Sequence, residues 1–186
     1  MLQNLSLVHG IDLVIAIPHN IVGPRQKYDD PFRNVAAIMV NLMLQNRRPV
    51  IYGDGEQKRT FSDVEDCVYC LDKLMLDSSV KSQVVNIGPD DEFTSINTLF
   101  SILSNKLAFN QKPIYLEDRP NEIKLSTCSA EKAKKLLNYQ NKITLDESID
   151  KVINFIKSKG PKKFSYDYEL EINTDLTPKS WKEKLF

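Results

Sequence analysis

Short apolar runs alternate with longer amphipathic segments along this chain, a pattern typical of α/β proteins. Residues 11–17 are almost continuously Val, Ile, Leu and Ala, and residues 84–87 form a second such run. Runs of this kind predict parallel strands that are buried on both faces. A third run, at residues 114–116, predicts a further strand. The spacing therefore predicts an α/β fold, with helices between the strands.

The amphipathic segments carry helix start signals. Asp30, with Pro31 at the first helical position, predicts a helix that ends near Asn46. The pair Ser62-x-x-Glu65 is a capping box that opens a second helix. The apolar face that we expect this second helix to bury consists of Val64, Val68, Leu71 and Met75. Later helices are predicted to begin after Thr94 or Ser95, after Ser129 and after Thr144, and the last to end at Gly160.

Residues 51–66 combine a turn, a short strand and a helix start. The pair Asp54-Gly55 between two short β-prone runs predicts a hairpin, because glycine accepts a positive φ without steric cost. Arg59 falls on the second strand of this hairpin. A guanidinium held between a turn and a helix N-terminus can bind a phosphate with two parallel hydrogen bonds. A lone arginine is more often a solvated surface residue, so this interpretation depends on the other motifs.

Four blocks, in order, resemble the C-terminal half of a nucleotide-sugar epimerase/dehydratase. They are Ile17–Gln26, Ile51–Asp66, Asn86–Gly88 and Arg119–Glu122. This is the extended short-chain dehydrogenase/reductase family, which includes UDP-glucose 4-epimerase and UDP-glucuronate decarboxylase, and the match runs from about Leu13 to Ile156. The resemblance implies the C-terminal part of a Rossmann-type sheet plus a small substrate-binding α/β lobe.

The resemblance also predicts how the chain is organised. Residues 1–160 would form the substrate-binding lobe with its residual Rossmann strands, and residues 161–186 an extended tail packed on it, with Trp181 as an anchor. The tail sequences 166–172 and 177–181 resemble tails of bacterial family members that serve surface-polysaccharide synthesis.

The resemblance assigns substrate-binding roles residue by residue. Arg59 and Arg119 match the two arginines that contact the diphosphate in the family. Asn20 matches an asparagine that hydrogen-bonds a substrate phosphate. Ser126 falls at the family's sugar-pocket gate, where a small residue would leave room for an enlarged hexose such as that of UDP-GlcNAc. Taken alone, Asn20 would more often cap a turn.

Further residues would contact the base and the cofactor. Asn34 (with the adjoining Val35), Val50 and Tyr52 fall where the family lines its uracil slot, although Tyr52 alone would more often be a core-edge residue. Pro18 and His19 occupy positions beside the nicotinamide. That His19 is a loop histidine with no chemical role is an equally weighted alternative. If it has a role, packing against the cofactor is favoured over acid/base catalysis.

Two positions depart from the family's pattern. Asn121 stands where glycine is usual, which puts a positive φ there in doubt. Ser129 replaces the usual aspartate, but it can still cap the following helix.

The family's glycine-rich NAD-binding motif does not occur in this sequence, and the Tyr-x-x-x-Lys match at Tyr69–Lys73 falls inside a predicted helix, downstream of where the family carries its catalytic pair. The six glycines of the sequence, at positions 10, 23, 53, 55, 88 and 160, form neither G-x-x-G-x-x-G nor G-x-G-x-x-G. The family's catalytic Tyr-x-x-x-Lys pair would precede Met1, so we predict no catalytic residue here. NAD would be bound mainly by the absent N-terminal half, and the fragment alone would be inactive.

Composition excludes several other classes of function. Lysine plus arginine and aspartate plus glutamate each number 25, so no global charge attracts nucleic acid or an anionic membrane. No apolar run is long enough to span a bilayer, and a cytoplasmic location is the default expectation. With only two histidines, no histidine metal cluster is expected. Cys67 and Cys70 lie inside a predicted helix, where packing in the core is favoured over redox or zinc chemistry.

The leading hypothesis is therefore the UDP-hexose-binding half of an NAD-dependent epimerase that acts at C4 of the sugar. The alternatives are half of a nucleotide-sugar dehydratase or decarboxylase, and a non-catalytic domain that binds nucleotide sugars or a partner subunit. The expected partners are a UDP-sugar and either a second copy in a homodimer or a separate N-terminal half.

Overall fold

The computed structural model describes residues 1–167, 169–171 and 173–186. Tyr168 and Ile172, which belong to the tail sequence noted above, lie outside the described residues. In chain order the elements are α1 (Leu2–His9), β1 (Ile15–Pro18), β2 (Ile21–Val22), α2 (Val35–Leu44), β3 (Val50–Tyr52), β4 (Lys58–Arg59), β5 (Ser62–Asp63), α3 (Val64–Leu76), a 3-10 turn (Ser78–Val80), β6 (Val84–Ile87), β7 (Thr94–Ser95), α4 (Ile96–Leu107), β8 (Ile114–Leu116), β9 (Leu125–Ser126), α5 (Glu131–Leu137), α6 (Leu145–Lys159) and α7 (Lys179–Lys182).

The chain folds into two compact units, each assembled from segments that are distant in sequence. The first unit comprises Met1–Ile21, Thr60–Phe93 and Thr127–Leu145. The second unit comprises Val22–Arg59, Thr94–Ser126 and Asp146–Phe186. The division of the chain at residue 160 stays a prediction.

Two parallel strands form the centre of the first unit. β1 pairs with β6, with Ile15 opposite Val84 and Pro18 opposite Ile87. Val85 and Ile87 are fully buried. They belong to a core that also contains residues of α3 and α5, namely Cys67, Cys70, Leu74, Ala133 and Leu137. The predicted parallel strands are thus present.

The first strand is shorter and more exposed than its sequence predicts. It begins at Ile15 and not at Ile11, and Pro18 is its last residue. Ile17 is 41% exposed, so the prediction of burial on both faces is wrong for this strand. The physical reason is that the face carrying Val14 and Ala16 packs against the core of the first unit, whereas Ile17 belongs to the opposite face.

Helix α3 buries a different face from the predicted one. Its buried side chains include Cys67, Cys70 and Leu74. By contrast, Val68 is exposed and Met75 is 84% exposed. The helix contains two apolar stripes, and the packing against β6 and α5 selects the stripe with the smaller cysteine side chains.

The N-cap of α3 also differs from the prediction. Asp63 is the N-cap, and its Oδ1 accepts a hydrogen bond from the Glu65 amide at 2.8 Å. Ser62 instead lies in β5, and its hydroxyl donates to the carbonyl of His19 at 2.7 Å. Aspartate is as good an N-cap as serine, so Asp63 can take this role one residue later.

The second unit contains two small sheets. β3 pairs in parallel with β8. β4 lies between β7, which is antiparallel to it, and β9, which is parallel to it. The prediction that β3 and β4 pair as a hairpin is therefore wrong, because each strand takes partners from later in the chain. The tight turn is nevertheless present: Gly55 has φ 74° and Asp54 Oδ1 accepts from the Glu56 amide.

Helix starts in the second unit are partly as predicted. Ser95 caps α4 and accepts from the Thr98 amide at 3.1 Å, as predicted. The start at Asp30 is wrong, because α2 begins at Val35 and Asn34 is its N-cap. Asp30 instead accepts from the Phe32 amide and pairs with Arg33 Nε at 3.0 Å, which closes a turn before the helix.

The tail from residue 161 makes specific contacts within the second unit. Asn41 exchanges two hydrogen bonds with the backbone of Lys162, at 2.9 and 3.0 Å. The ring of Trp181 meets that of Phe32 edge-on, with centroids 5.1 Å apart. None of the helices in the described ranges combines the length and the apolarity that crossing a membrane would require.

Candidate functional site

Two arginines converge on one buried carboxylate in the second unit. Arg59 Nη2 lies 2.5 Å from Glu122 Oε1, and Arg119 Nε donates to Glu122 Oε2 at 2.7 Å. A second Arg119 nitrogen, Nη2, lies 2.5 Å from the same Oε2. The side chain of Glu122 is only 5% exposed, against 16% for Arg59 and 38% for Arg119. The carboxylate therefore fixes both guanidiniums in place.

Local backbone structure produces this arrangement. The Glu122 amide donates to the Arg119 carbonyl at 3.2 Å, which closes a tight turn. Asn121 has φ 58°, so it adopts the left-handed conformation that the sequence alone placed in doubt for a residue other than glycine. Asparagine tolerates this region better than most residues, so the replacement preserves the turn. The turn leads into β9, where Ser126 lies directly opposite Arg59 in the parallel register.

Each guanidinium retains free donors after these contacts. Arg59 uses Nη1 for the carbonyl of Lys58 and Nη2 for Glu122. Arg119 uses Nε and Nη2 for Glu122. A guanidinium has five N–H donors, so about three remain on each arginine. Two positive charges face one negative charge, which leaves one positive charge in excess at a site suited to an anion.

A cavity of about 300 Å³ opens beside the arginine pair. Arg59, Arg119 and Ser126, three of the predicted substrate-binding residues, all line it. Leu176 and Pro178 of the tail line it as well. The structure thus brings together the residues predicted for the diphosphate and for the sugar gate.

A second cavity, of about 580 Å³, shares Arg119 and Pro178 with the first. Tyr52 lines it, and the Arg119 guanidinium lies 5.2 Å from the centre of the Tyr52 ring. The Tyr52 hydroxyl donates to Ser180 Oγ at 2.7 Å and accepts from the Ser180 amide at the same distance. Tyr52 is therefore held by its ring face and by its hydroxyl.

The other two residues predicted for the uracil slot have structural positions of their own. Asn34 Oδ1 accepts from the Ala36 amide at 2.9 Å as the N-cap of α2. Val50 is the first residue of β3 and pairs with Ile114. Within the part of the chain that the structure describes, neither residue lines the two cavities. Their contact with a base stays a prediction.

Pro18, His19 and Asn20 lie in the first unit, at the C-terminal end of β1. The His19 amide donates to the carbonyl of Ile87 at 2.9 Å. Asn20 Nδ2 donates to the carbonyl of Thr60 at 2.9 Å, and the residue has φ 38°. Pro18 is exposed and His19 is partly buried. Their roles toward a cofactor and a phosphate stay predictions.

Cys67 and Cys70 are buried free thiols in the core of the first unit. Burial, together with the nearby Cys67 thiol and Asp66, raises the pKa of Cys70 to about 11. Burial also raises the pKa of Cys67. Protonated thiols are poor nucleophiles and poor metal ligands, so this geometry fits packing and not redox chemistry.

Comparison with known proteins identifies the family. Residues 1–152 match the family described as GDP-mannose 4,6 dehydratase. The chain belongs to the nucleotide-sugar epimerase/dehydratase family. A relative from Methanocaldococcus jannaschii, provisionally named a UDP-glucose 4-epimerase, is 33% identical over 81% of this chain and 48% of its own length.

Solved structures of epimerases share the fold. The chain is similar to the UDP-glucuronic acid 4-epimerase of Bacillus cereus in complex with UDP-glucuronic acid and NAD, with TM-score 0.77 and 25% identity over 86% of this chain and 50% of that one. It is equally similar, at TM-score 0.77 and 27% identity with the same coverage, to the UDP-N-acetylglucosamine 4-epimerase of Methanobrevibacter ruminantium M1 in complex with UDP-N-acetylmuramic acid. Other relatives are UDP-glucuronic acid decarboxylases. The chain spans about half the length of the relatives it matches.

Glu122 is the residue of the candidate site that sequence reasoning missed. In the sequence it is only the last residue of the Arg119–Glu122 block. The signal that could have revealed it is its distance of three residues from Arg119, the spacing at which side chains of one turn meet. Its pairing with Arg59 has no sequence signal, because 63 residues separate the two. The tail residues Leu176 and Pro178 were missed for the same reason.

Proposed function

We propose that this chain is the nucleotide-sugar-binding half of an NAD-dependent epimerase that acts at C4 of a UDP-hexose. The observation that carries the proposal is the convergence of Arg59 and Arg119 on the buried Glu122, beside Ser126, in one cavity. Guanidiniums held by a carboxylate are already oriented, so little side-chain entropy is lost when a diphosphate binds. Similar structures that hold UDP-sugars support this class of ligand.

In this proposal the chain binds and orients the substrate. Arg59 and Arg119 hold the diphosphate through their remaining N–H donors, and contact of Asn20 with a phosphate stays a prediction. NAD, when bound, accepts a hydride from the sugar and returns it. The glycine-rich turn that would hold its pyrophosphate does not occur in this sequence, so we assign only Pro18 and His19 to the nicotinamide side. A cytoplasmic location and a role in polysaccharide synthesis stay predictions.

The proposal is tested by titrating UDP and UDP-glucose into the 186-residue chain, with calorimetric detection. Replacing Arg59 or Arg119 by alanine should weaken binding of both ligands roughly 10- to 150-fold, since each charge-assisted contact contributes about 1.5–3 kcal/mol. Lysine at either site should restore only part of the affinity, because it keeps the charge but loses the planar fork.

Arg33→Ala is the matched control, because Arg33 is a surface arginine paired with Asp30 and lies outside both cavities described above. The affinity of the Arg33→Ala variant for UDP should equal that of the unaltered chain. Unchanged UDP affinity in a folded Arg59→Ala variant would contradict the proposal that Arg59 and Arg119 together bind the diphosphate (the diphosphate clamp). The purified chain alone should not convert UDP-glucose to UDP-galactose, and measurable turnover would contradict the assignment of catalysis to the other half.

A decarboxylase or dehydratase is the second candidate, favoured by the decarboxylases among the relatives. Both reactions need the same diphosphate clamp, so the arginine variants do not separate them. The test is the product formed from UDP-glucuronate when this chain is supplied with its cofactor-binding half. Release of CO₂ would select the decarboxylase, and a UDP-galacturonate product would select the 4-epimerase.

A further inference from the structure

The tail contributes side chains to the cavity of the arginine pair. Leu176 and Pro178 line it together with Arg59, Arg119 and Ser126. Leu176 leaves 63% of its surface exposed, although leucine is a large apolar residue. The family match ends at residue 152, so both tail residues lie outside the matched part of the chain. An apolar side chain exposed at the edge of a polar cavity can be covered by a ligand that enters it.

The segment around Leu176 is fixed to the unit by its neighbours. Ser180 is fully buried and exchanges two 2.7 Å hydrogen bonds with the hydroxyl of Tyr52. The adjacent Trp181 packs on Phe32. The Thr174 amide donates to Thr177 Oγ1 at 3.0 Å, which closes the turn that carries Leu176. The tail therefore presents Leu176 from a closed turn that is fixed to the unit on its C-terminal side.

The lining of the two cavities indicates which part of a ligand Leu176 meets. Pro178 lines both cavities, whereas Leu176 lines only the smaller one, as Ser126 does. Ser126 lies opposite Arg59 in the strand register. The larger cavity is lined by Tyr52, which is predicted to contact the base, so with a diphosphate on the arginines we assign the space beside Ser126 to the hexose.

We propose that the tail forms one wall of the sugar subsite, with Leu176 packed against the hexose of the bound nucleotide sugar. This inference rests on the proposed function. The tail then adds a determinant of sugar specificity to the lobe shared with the family.

The experiment compares UDP with UDP-GlcNAc, titrated into the 186-residue chain and its variants by calorimetry. Leu176→Ala should weaken UDP-GlcNAc binding about five-fold, as expected for the loss of a partly exposed apolar contact, and leave UDP binding unchanged. Leu76→Ala is the matched control, because Leu76 is an exposed leucine at the end of α3.

The outcomes separate this inference from the proposed function. If Leu176→Ala weakens UDP and UDP-GlcNAc equally, the leucine contacts the nucleotide and the sugar-wall assignment is wrong. Unchanged affinities, or tighter binding of UDP-GlcNAc, would also overturn it, the latter because the tail would then obstruct the cavity. If the unaltered chain binds neither ligand, the proposed function fails and the wall fails with it. If Arg59→Ala weakens both ligands while Leu176→Ala weakens neither, only the wall fails.

Discussion

Replacing Glu122 by glutamine should separate the stability of the site from its affinity. The carboxylate receives three short contacts from Arg59 and Arg119 and is 5% exposed. Glutamine keeps the shape, but its amide NH₂ group would face a guanidinium, which is also a donor. Arg59 would then be a largely buried charge without its partner. Breaking a buried ion pair from one side costs about 3–5 kcal/mol, which we reduce to about 2–4 kcal/mol because Arg119 is partly solvated.

Two opposing effects on ligand binding come from the same substitution. Removing the negative charge should favour an anion at about 6 Å by about 2–3 kcal/mol at an effective dielectric constant of about 20. Loss of fixed orientation in two arginine side chains should cost about 1–3 kcal/mol. These effects offset each other to within about 1–2 kcal/mol. Glu122→Gln should therefore lower stability strongly and change UDP affinity by less than about thirty-fold.

The assay is thermal unfolding by circular dichroism combined with UDP titration. For a chain of this size, a loss of about 2–4 kcal/mol should lower Tm by about 6–12 °C. Asp118→Asn is the control, because Asp118 and Lys124 form an exposed pair, and its Tm should change by no more than about 2 °C. A Glu122→Gln variant that melts with the unaltered chain would refute the view that this carboxylate holds the arginine pair.

The remaining predictions concern the sugar gate, the apolar surface and the thiols. Ser126→Tyr should weaken UDP-GlcNAc binding while sparing UDP-glucose, because the larger ring would fill the space beside Arg59; equal losses for both sugars, measured by calorimetry, would be evidence against a gate. Helix α1 buries none of its residues and Ile17 is exposed, so the isolated chain should aggregate or associate with itself or with a separate N-terminal half; a monomer at high concentration in light scattering would contradict this. Because burial raises the pKa of Cys70 to about 11, iodoacetamide at pH 8 should label Cys67 and Cys70 only after unfolding, and rapid labelling of the native chain would show that they are not core thiols. Because burial raises the pKa of the Cys70 thiol, the contribution of this thiol to the free energy of unfolding is constant below about pH 8.5 and declines as the pH rises toward 11. Urea titrations at pH 8 and pH 10 would measure this decline.

The sequence predicts elements best where local chemistry decides them. The apolar run at residues 84–87 became β6, and the serine at position 95 caps α4 as expected. The two arginines of the family's motifs meet in one cavity. In each case the deciding interaction lies within a few residues, or is fixed by a motif that already encodes the fold.

Prediction fails where partners from distant parts of the chain decide the outcome. The Asp54-Gly55 turn forms, but β3 and β4 pair with other strands because β8, β7 and β9 compete for their edges. Helix α3 has two apolar stripes, and hydrophobicity alone favours the one that the structure leaves exposed. The pairing of Glu122 with Arg59 is a contact over 63 residues, which no periodicity can indicate.

The two units differ in how many of their polar groups are paired and how much of their apolar surface is buried within this chain. In the second unit, Glu122 is paired with both arginines, and Tyr52 is held by Arg119 and Ser180, so the polar groups that form the proposed clamp already have their partners. In the first unit, β1 has a single neighbouring strand within the described residues, and α1 buries no side chain. Burial of apolar surface is the dominant stabilising term, whereas a preorganised charge cluster contributes chiefly to binding. A cofactor-binding half should therefore stabilise the first unit more than it improves the affinity of the second unit for a diphosphate.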